Sequence, residues 1–182
     1  MMGRVIVPPG HLDEASLLDA VRELGERDPA LGSVVARYGP PPLWARPAGF
    51  PTLVLLILEQ QVSLASAVRD GRLDLDGLTG LDDEAVDAAL TALPGIGPWT
   101  ATIYRLMVLC RPDAWPIHDI ALAQAYADLH GLTIRPRPEE MTALAEGWRP
   151  WRAVAARILW HQYLAVRAER RAARTSSAVV DR

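Results

Sequence analysis

The chain has 182 residues, 50% of them hydrophobic and 23% charged, which is enough for one domain with its own core and short for two. Its single cysteine, Cys110, excludes an internal disulfide, and its longest strongly apolar run, Leu53 to Leu58, falls far short of the ~20 residues that a membrane helix requires. The net charge of −3 argues against a uniformly basic nucleic-acid surface, but the charge is divided: Met1 to His130 holds nine arginines against seventeen acids, and Gly131 to Arg182 ten against five.

The start after Met1 lacks the basic-then-apolar pattern of a secretory signal, so a cytoplasmic location is expected. Arg4 to Val7 reads as a short strand; the rest of the chain reads as all-α. Leu12 to Gly25 and Ala30 to Tyr38 have amphipathic helical patterns, followed by the rigid Pro40-Pro41-Pro42 connector. Phe50 or Pro51 to Arg69 reads as a mostly buried helix. Further helices are predicted over Asp82 to Leu90, Pro98 to Leu109, Asp119 to Leu129, Pro138 to Glu146 and Trp151 to Arg171, with His130 ending a helix before Gly131. The expected organisation is one helical domain over 1–182, with 1–28 as an N-terminal extension and 172–182 as a disordered tail.

Two of these helices are joined by Leu93-Pro94-Gly95-Ile96-Gly97-Pro98. Gly95 and Gly97 can take positive φ and admit another backbone closely, while Pro98 suits a first helical position. The free N–H groups at that helix start, with the positive dipole end behind them, can bind a phosphate without a lysine or arginine. A tight turn between packed helices uses the same residues. One helix length later, Trp115-Pro116-Ile117-His118-Asp119 ends in a carboxylate at another helix start, where it stays ionised and can cap the helix.

Hairpin and aspartate together resemble the helix-hairpin-helix DNA glycosylase superfamily. The similarity is greatest to its alkylation-repair branch, 3-methyladenine DNA glycosylase II. The same branch is matched by Gly49-Phe50 leading to Glu59-Gln60-Gln61-Val62-Ser63, by Asp113-Ala114-Trp115-Pro116, and by Glu146-Gly147-Trp148-Arg149-Pro150-Trp151-Arg152 leading to Trp160. The matches run from about Pro29 to Tyr163, in order.

That resemblance implies a base-excision enzyme acting on double-stranded DNA with alkylated bases, and hence association with the nucleoid. Asp119 is then the catalytic carboxylate, stabilising an oxocarbenium-like sugar and orienting water. Trp99 and Trp160 match tryptophans that face the flipped base, and an electron-poor alkylated purine stacks well on indoles. Gln60 and Gln61 occupy the minor-groove wedge, and Ser63 caps a helix or contacts a phosphate. Gly95, Ile96, Gly97 and Thr100 are the hairpin's DNA contacts, and the carbonyls of Thr91, Leu93 and Ile96 would hold a structural Na⁺ or K⁺. Trp148 and Trp151 read as core, with Arg152 placed for a buried pair or a phosphate. No other cofactor is required.

Three departures narrow the reading. All nineteen basic residues are arginine, and where strand-cleaving relatives carry a Schiff-base lysine this chain has Trp99, so a monofunctional hydrolase is expected. One cysteine cannot ligate the iron–sulfur cluster of the endonuclease III branch, and His11, His118, His130 and His161 lack zinc-type spacing. His118 replaces what is commonly a small residue or an acid; it can tune Asp119, bind a phosphate or be an exposed turn residue.

The interval between Ser63 and the hairpin is the main discrepancy. Relatives carry several dozen more residues there, whereas here Ala67 to Leu73 leads almost directly to the pre-hairpin region, as though after an internal deletion. The face so uncovered is closed by repacking, by a second subunit, or not at all. Two function classes therefore stand: a monofunctional alkylpurine glycosylase, and a non-catalytic DNA-binding remnant of one. A glycosylase for oxidised or deaminated bases fits the tryptophans less well.

Overall fold

The computed structural model describes residues 10–46, 77–93 and 95–180, with side chains described to residue 174. Gln60, Gln61 and Ser63, the Phe50 to Arg69 helix, the Arg4 to Val7 strand and the shortened interval lie outside the described residues.

Each helix start has a local cause. Asp13 opens α1 (Glu14–Arg27) with a reciprocal cap: its Oδ1 accepts from Ser16 N at 2.8 Å and Ser16 Oγ accepts from Asp13 N at 2.9 Å. Asp28 ends α1 and starts α2 (Pro29–Tyr38), accepting from Ala30 N at 3.0 Å and Leu31 N at 3.3 Å through one oxygen. Its other oxygen accepts from Trp148 Nε1 at 2.8 Å, tying this corner to a residue far along the chain. The α1 and α2 backbones meet at two glycines, where a Cβ on Gly32 would stand 2.8 Å from Gly25 O.

After a 3₁₀ turn at Gly77–Gly80, Asp82 caps α3 (Asp83–Thr91), and α4 (Pro98–Met107) follows the hairpin. Asp119 caps α5 (Ile120–His130), which ends at Gly131 in the left-handed region, φ 63°. Then come α6 (Pro138–Ala145), a 3₁₀ turn at Glu146–Trp148 and α7 (Arg152–Val180). α7 runs past the expected end at Arg171, because Ala172, Ala173 and Arg174 are good helix formers with no Gly or Pro to stop them. Residues 172–180, expected as tail, thus continue the helix.

Two apolar clusters form the core. The larger packs α1, α2, α5 and the buried face of α7 around Trp115, Trp148 and Trp151; the smaller joins Leu78 to the two arms of the hairpin. Met107 and Trp160 pack against both. Arg157 on α7 is fully buried and donates to Leu43 O at 2.8 Å, Leu106 O at 2.7 Å and Ala153 O at 3.1 Å. One guanidinium thereby bridges the backbone of three segments, the Leu43 loop, α4 and α7 itself, from a fully buried position. Burial pulls its pKa down to about 10, so it remains a cation at neutral pH.

Candidate active site at the start of α5

The hairpin arms are held rigidly. Arg105 on α4 donates through Nε to Asp87 Oδ1 and through Nη1 to Asp83 Oδ2, both at 2.8 Å, clipping α4 to α3. Burial raises the pKa of Asp87, against the attraction of Arg105. Val86, Leu90, Leu93, Ile96, Ile103 and Tyr104 fill the space between the arms.

At the turn, Gly95 has φ 86°, as expected, but Gly97 is extended at φ −92°, ψ 171°. Positive φ is therefore not the reason for glycine at 97. Among the described residues, a Cβ there would meet nothing within 4 Å, so the turn is open at this position. Ile96 N donates to Leu93 O at 3.2 Å, and Ala101 N to Gly97 O at 3.1 Å makes the first turn of α4. The N–H groups of Trp99 and Thr100 precede that bond and belong to the open end of the helix. The side chains of Ile96 and Thr100 are buried, so contacts from these positions go through backbone.

Asp119 is positioned from two sides. The loop before it is fixed by Trp115, buried against Trp148 with ring centroids 5.5 Å apart, and by Asp113, which receives Arg152 Nε and Nη2 at 2.9 Å each. Arg152 thus makes the ion pair that was one of its two expected roles. The chain then turns through His118 at φ 67°, a left-handed conformation uncommon for a non-glycine residue. At Asp119, Oδ1 accepts from Leu122 N at 3.0 Å and Oδ2 accepts from Trp99 Nε1 at 3.3 Å. Capping and site geometry are served by one side chain. A carboxylate has lone pairs left after two such bonds, and Asp119 lines a cavity of about 430 Å³ with His118, Arg135 and Met141.

The sequence-predicted residues are brought together unevenly. Trp99 reaches Asp119 directly, whereas Trp160, packed on the same hairpin core, lines a separate cavity of about 360 Å³ with Trp44 and Met107. Trp148 and Trp151 are core residues, as expected. Trp44 and Arg135 were not singled out from the sequence. Trp44 sits at φ 49° between two anchors, the Leu43 carbonyl held by Arg157 and the bond from Arg46 N to Met107 O at 2.8 Å. The signal for Arg135 was its Arg135-Pro136-Arg137-Pro138 run, whose prolines keep it out of a helix. Among the described residues no helix is long and apolar enough to cross a membrane.

No protein-family model matches the chain. Among curated proteins, it is 39% identical over 98 residues to the probable bifunctional transcriptional activator/DNA repair enzyme AlkA of Mycobacterium tuberculosis, covering 54% of this chain and 19% of that one. It is 31% identical over 103 residues to DNA-3-methyladenine glycosylase 2 of Escherichia coli, covering 57% and 33%. The chain thus spans between about a fifth and a third of the length of these two relatives. Among solved structures, the DNA-3-methyladenine glycosidase of Bacillus halodurans superposes with a TM-score of 0.62 at 21% identity over 79% of this chain and 88% of that one. The 3-methyladenine DNA glycosylase of Schizosaccharomyces pombe, in complex with abasic DNA, gives 0.60 at 21% identity over 79% and 94%.

Proposed function

From a helix-hairpin-helix DNA glycosylase fold whose sequence is similar to the alkylation-repair branch, we propose that this chain is a monofunctional glycosylase. It would hydrolyse the N-glycosidic bond of alkylated purines such as 3-methyladenine in duplex DNA. The observation that carries this reading is the Asp119 carboxylate, fixed by Leu122 N–H and by Trp99, 20 residues earlier on the hairpin helix.

Flipping must precede chemistry, because the bond is out of reach inside the stack. The hairpin's N–H groups would hold the backbone phosphate, with Gly97 leaving room for it. Methylation of a ring nitrogen makes the purine cationic, so the C1′–N bond breaks with its electron pair returning to the ring and the base leaves neutral. The sugar becomes oxocarbenium-like, and the fixed negative charge of Asp119 stabilises it. Water then forms the C1′–O bond and gives its proton to Asp119 or solvent, leaving a free base and an intact abasic strand. With no lysine in the chain, side-chain amine attack is not available. The carbonyls of Thr91, Leu93 and Ile96 would hold a monovalent cation whose charge strengthens phosphate binding; Leu93 O, which accepts only from Ile96 N among the described bonds at the turn, keeps a lone pair for it.

A second reading, a DNA-binding remnant without turnover, is favoured by the short interval between Ser63 and Gly95. The two are separated by incubating the purified chain with methylated duplex DNA and assaying released bases beside Asp119→Asn. Release by the parent and not by the variant supports the enzyme. No release with retained DNA binding supports the remnant.

A further inference from the structure

The arginines of this chain are nearly all engaged with the protein itself. Arg105 and Arg152 are bound to Asp83, Asp87, Asp113 and Glu146, Arg111 reaches Asp83 and the carbonyls of Gly10, Thr79 and Leu81, and Arg157 holds three buried carbonyls. The exposed arginines at 22, 27, 37, 137, 149, 167 and 170 each reach an acid, a carbonyl or a hydroxyl, and Arg46, Arg171 and Arg174 are likewise engaged. Among the described arginines, Arg135 alone has no hydrogen bond, ion pair or ring contact. A protein whose net charge is −3 leaves one described guanidinium unused, and it lines the same cavity as Asp119.

Arg135 makes no ion pair or hydrogen bond with Asp119, whose described partners are Leu122 N–H and Trp99 Nε1–H. The cavity is therefore lined by a positioned carboxylate and an uncommitted guanidinium that are not paired with each other, together with the apolar side chains of Ile117 and Ile120. Its complement is a group with an electropositive carbon, an apolar ring and an anion in sequence. A deoxyribose with its adjoining phosphodiester has that order, and a guanidinium binds phosphate oxygens in a forked geometry.

We infer that the cavity between the start of α5 and the Arg135–Pro138 segment is a phosphodiester subsite, in which Arg135 holds a backbone phosphate of the strand whose sugar faces Asp119. The strand's identity rests on the proposed glycosylase reading. Arg137 lines the same cavity but is held by Glu140, leaving Arg135 as the free ligand.

The test is equilibrium binding of the full chain to a duplex carrying one tetrahydrofuran abasic analogue over a series of NaCl concentrations. For Arg135→Gln, the dependence of log K on log [NaCl] becomes shallower by about 0.9, the value for one phosphate contact, and affinity at low salt falls about tenfold. Arg135→Lys keeps the slope, and Arg22→Gln, on the exposed face of α1, leaves slope and affinity unchanged. An unchanged slope in Arg135→Gln overturns the subsite, as does absence of DNA binding by the parent. Base release from methylated DNA, scored separately, tests the glycosylase reading: release with an unchanged Arg135→Gln slope refutes the subsite and keeps the enzyme, while an Arg135-dependent slope without release keeps the subsite and refutes the enzyme.

Discussion

The indole Nε1 of Trp99 donates to Asp119 Oδ2 at 3.3 Å while the other oxygen of the same carboxylate accepts the N–H of Leu122, so the hairpin helix and α5 fix one side chain between them. This arrangement separates a structural from a chemical role for Asp119. Asn still caps a helix, so Asp119→Asn shifts the thermal midpoint little, whereas Asp119→Ala costs about 1 kcal/mol. Both variants lose base release by roughly a hundredfold or more, because neither retains the anion facing the sugar. Parallel thermal melts and single-turnover excision assays check this; normal excision by the Asn variant would assign Asp119 to capping only.

Trp99→Phe keeps a ring on the hairpin and deletes the donor to Asp119. Excision falls roughly tenfold, the equivalent of one charge-assisted hydrogen bond, with abasic-DNA affinity little altered. A loss confined to affinity would place the indole's role in stacking and not in holding the carboxylate.

Arg157→Met is expected to destabilise the chain by about 3–5 kcal/mol, since the carbonyls of Leu43, Leu106 and Ala153 lose their shared donor in a buried site. Because burial lowers the guanidinium pKa to about 10, below its unfolded value, the folded chain releases this proton first, and the cost of burying the charge is relieved only above about pH 10. The loss in the variant is therefore constant across neutral pH. Urea titrations of parent and variant at two neutral pH values measure it.

Gly32→Ala sets a Cβ 2.8 Å from the carbonyl oxygen of Gly25, a backbone atom that cannot swing aside. The α1–α2 pair must separate, at a cost of roughly 1–3 kcal/mol. Gly80→Ala, whose added Cβ meets nothing within 4 Å, is the matched control and should melt within a degree or so of the parent.

Glu146 receives Arg149 and Arg152, and the hydrogen bond from Arg149 is the first cause of its lowered pKa. A carboxylate held below its unfolded value of 4.5 contributes stability above that pH and loses it as pH falls through the folded value. Glu146→Gln consequently shows a flatter acid limb than the parent in a pH series of thermal melts. Identical limbs would mean that the exposed network is fully screened.

Residues close in sequence specified much of this protein. Asp13, Asp28, Asp82 and Asp119 cap helices because a short acceptor side chain reaches N–H groups two or three residues ahead, a relation that needs no tertiary contact. The helix ends at His130 and Gly131, the positive φ of Gly95 and the core places of Trp148 and Trp151 were legible for the same local or apolar reasons. Only the tertiary structure decided which polar groups are used up and which remain. Arg157 and Leu43 lie 114 residues apart, Arg152 and Asp113 39 apart, and the Arg135-Pro136-Arg137-Pro138 run does not tell which of its arginines folding pairs: Arg137 is held by Glu140, and Arg135 is not. Long-range pairing depends on which helix faces meet, and that is set by burial of whole apolar faces. The same reason separates Trp160 from Trp99: Trp99 donates to Asp119, whereas Trp160 lines a cavity with Trp44 and Met107.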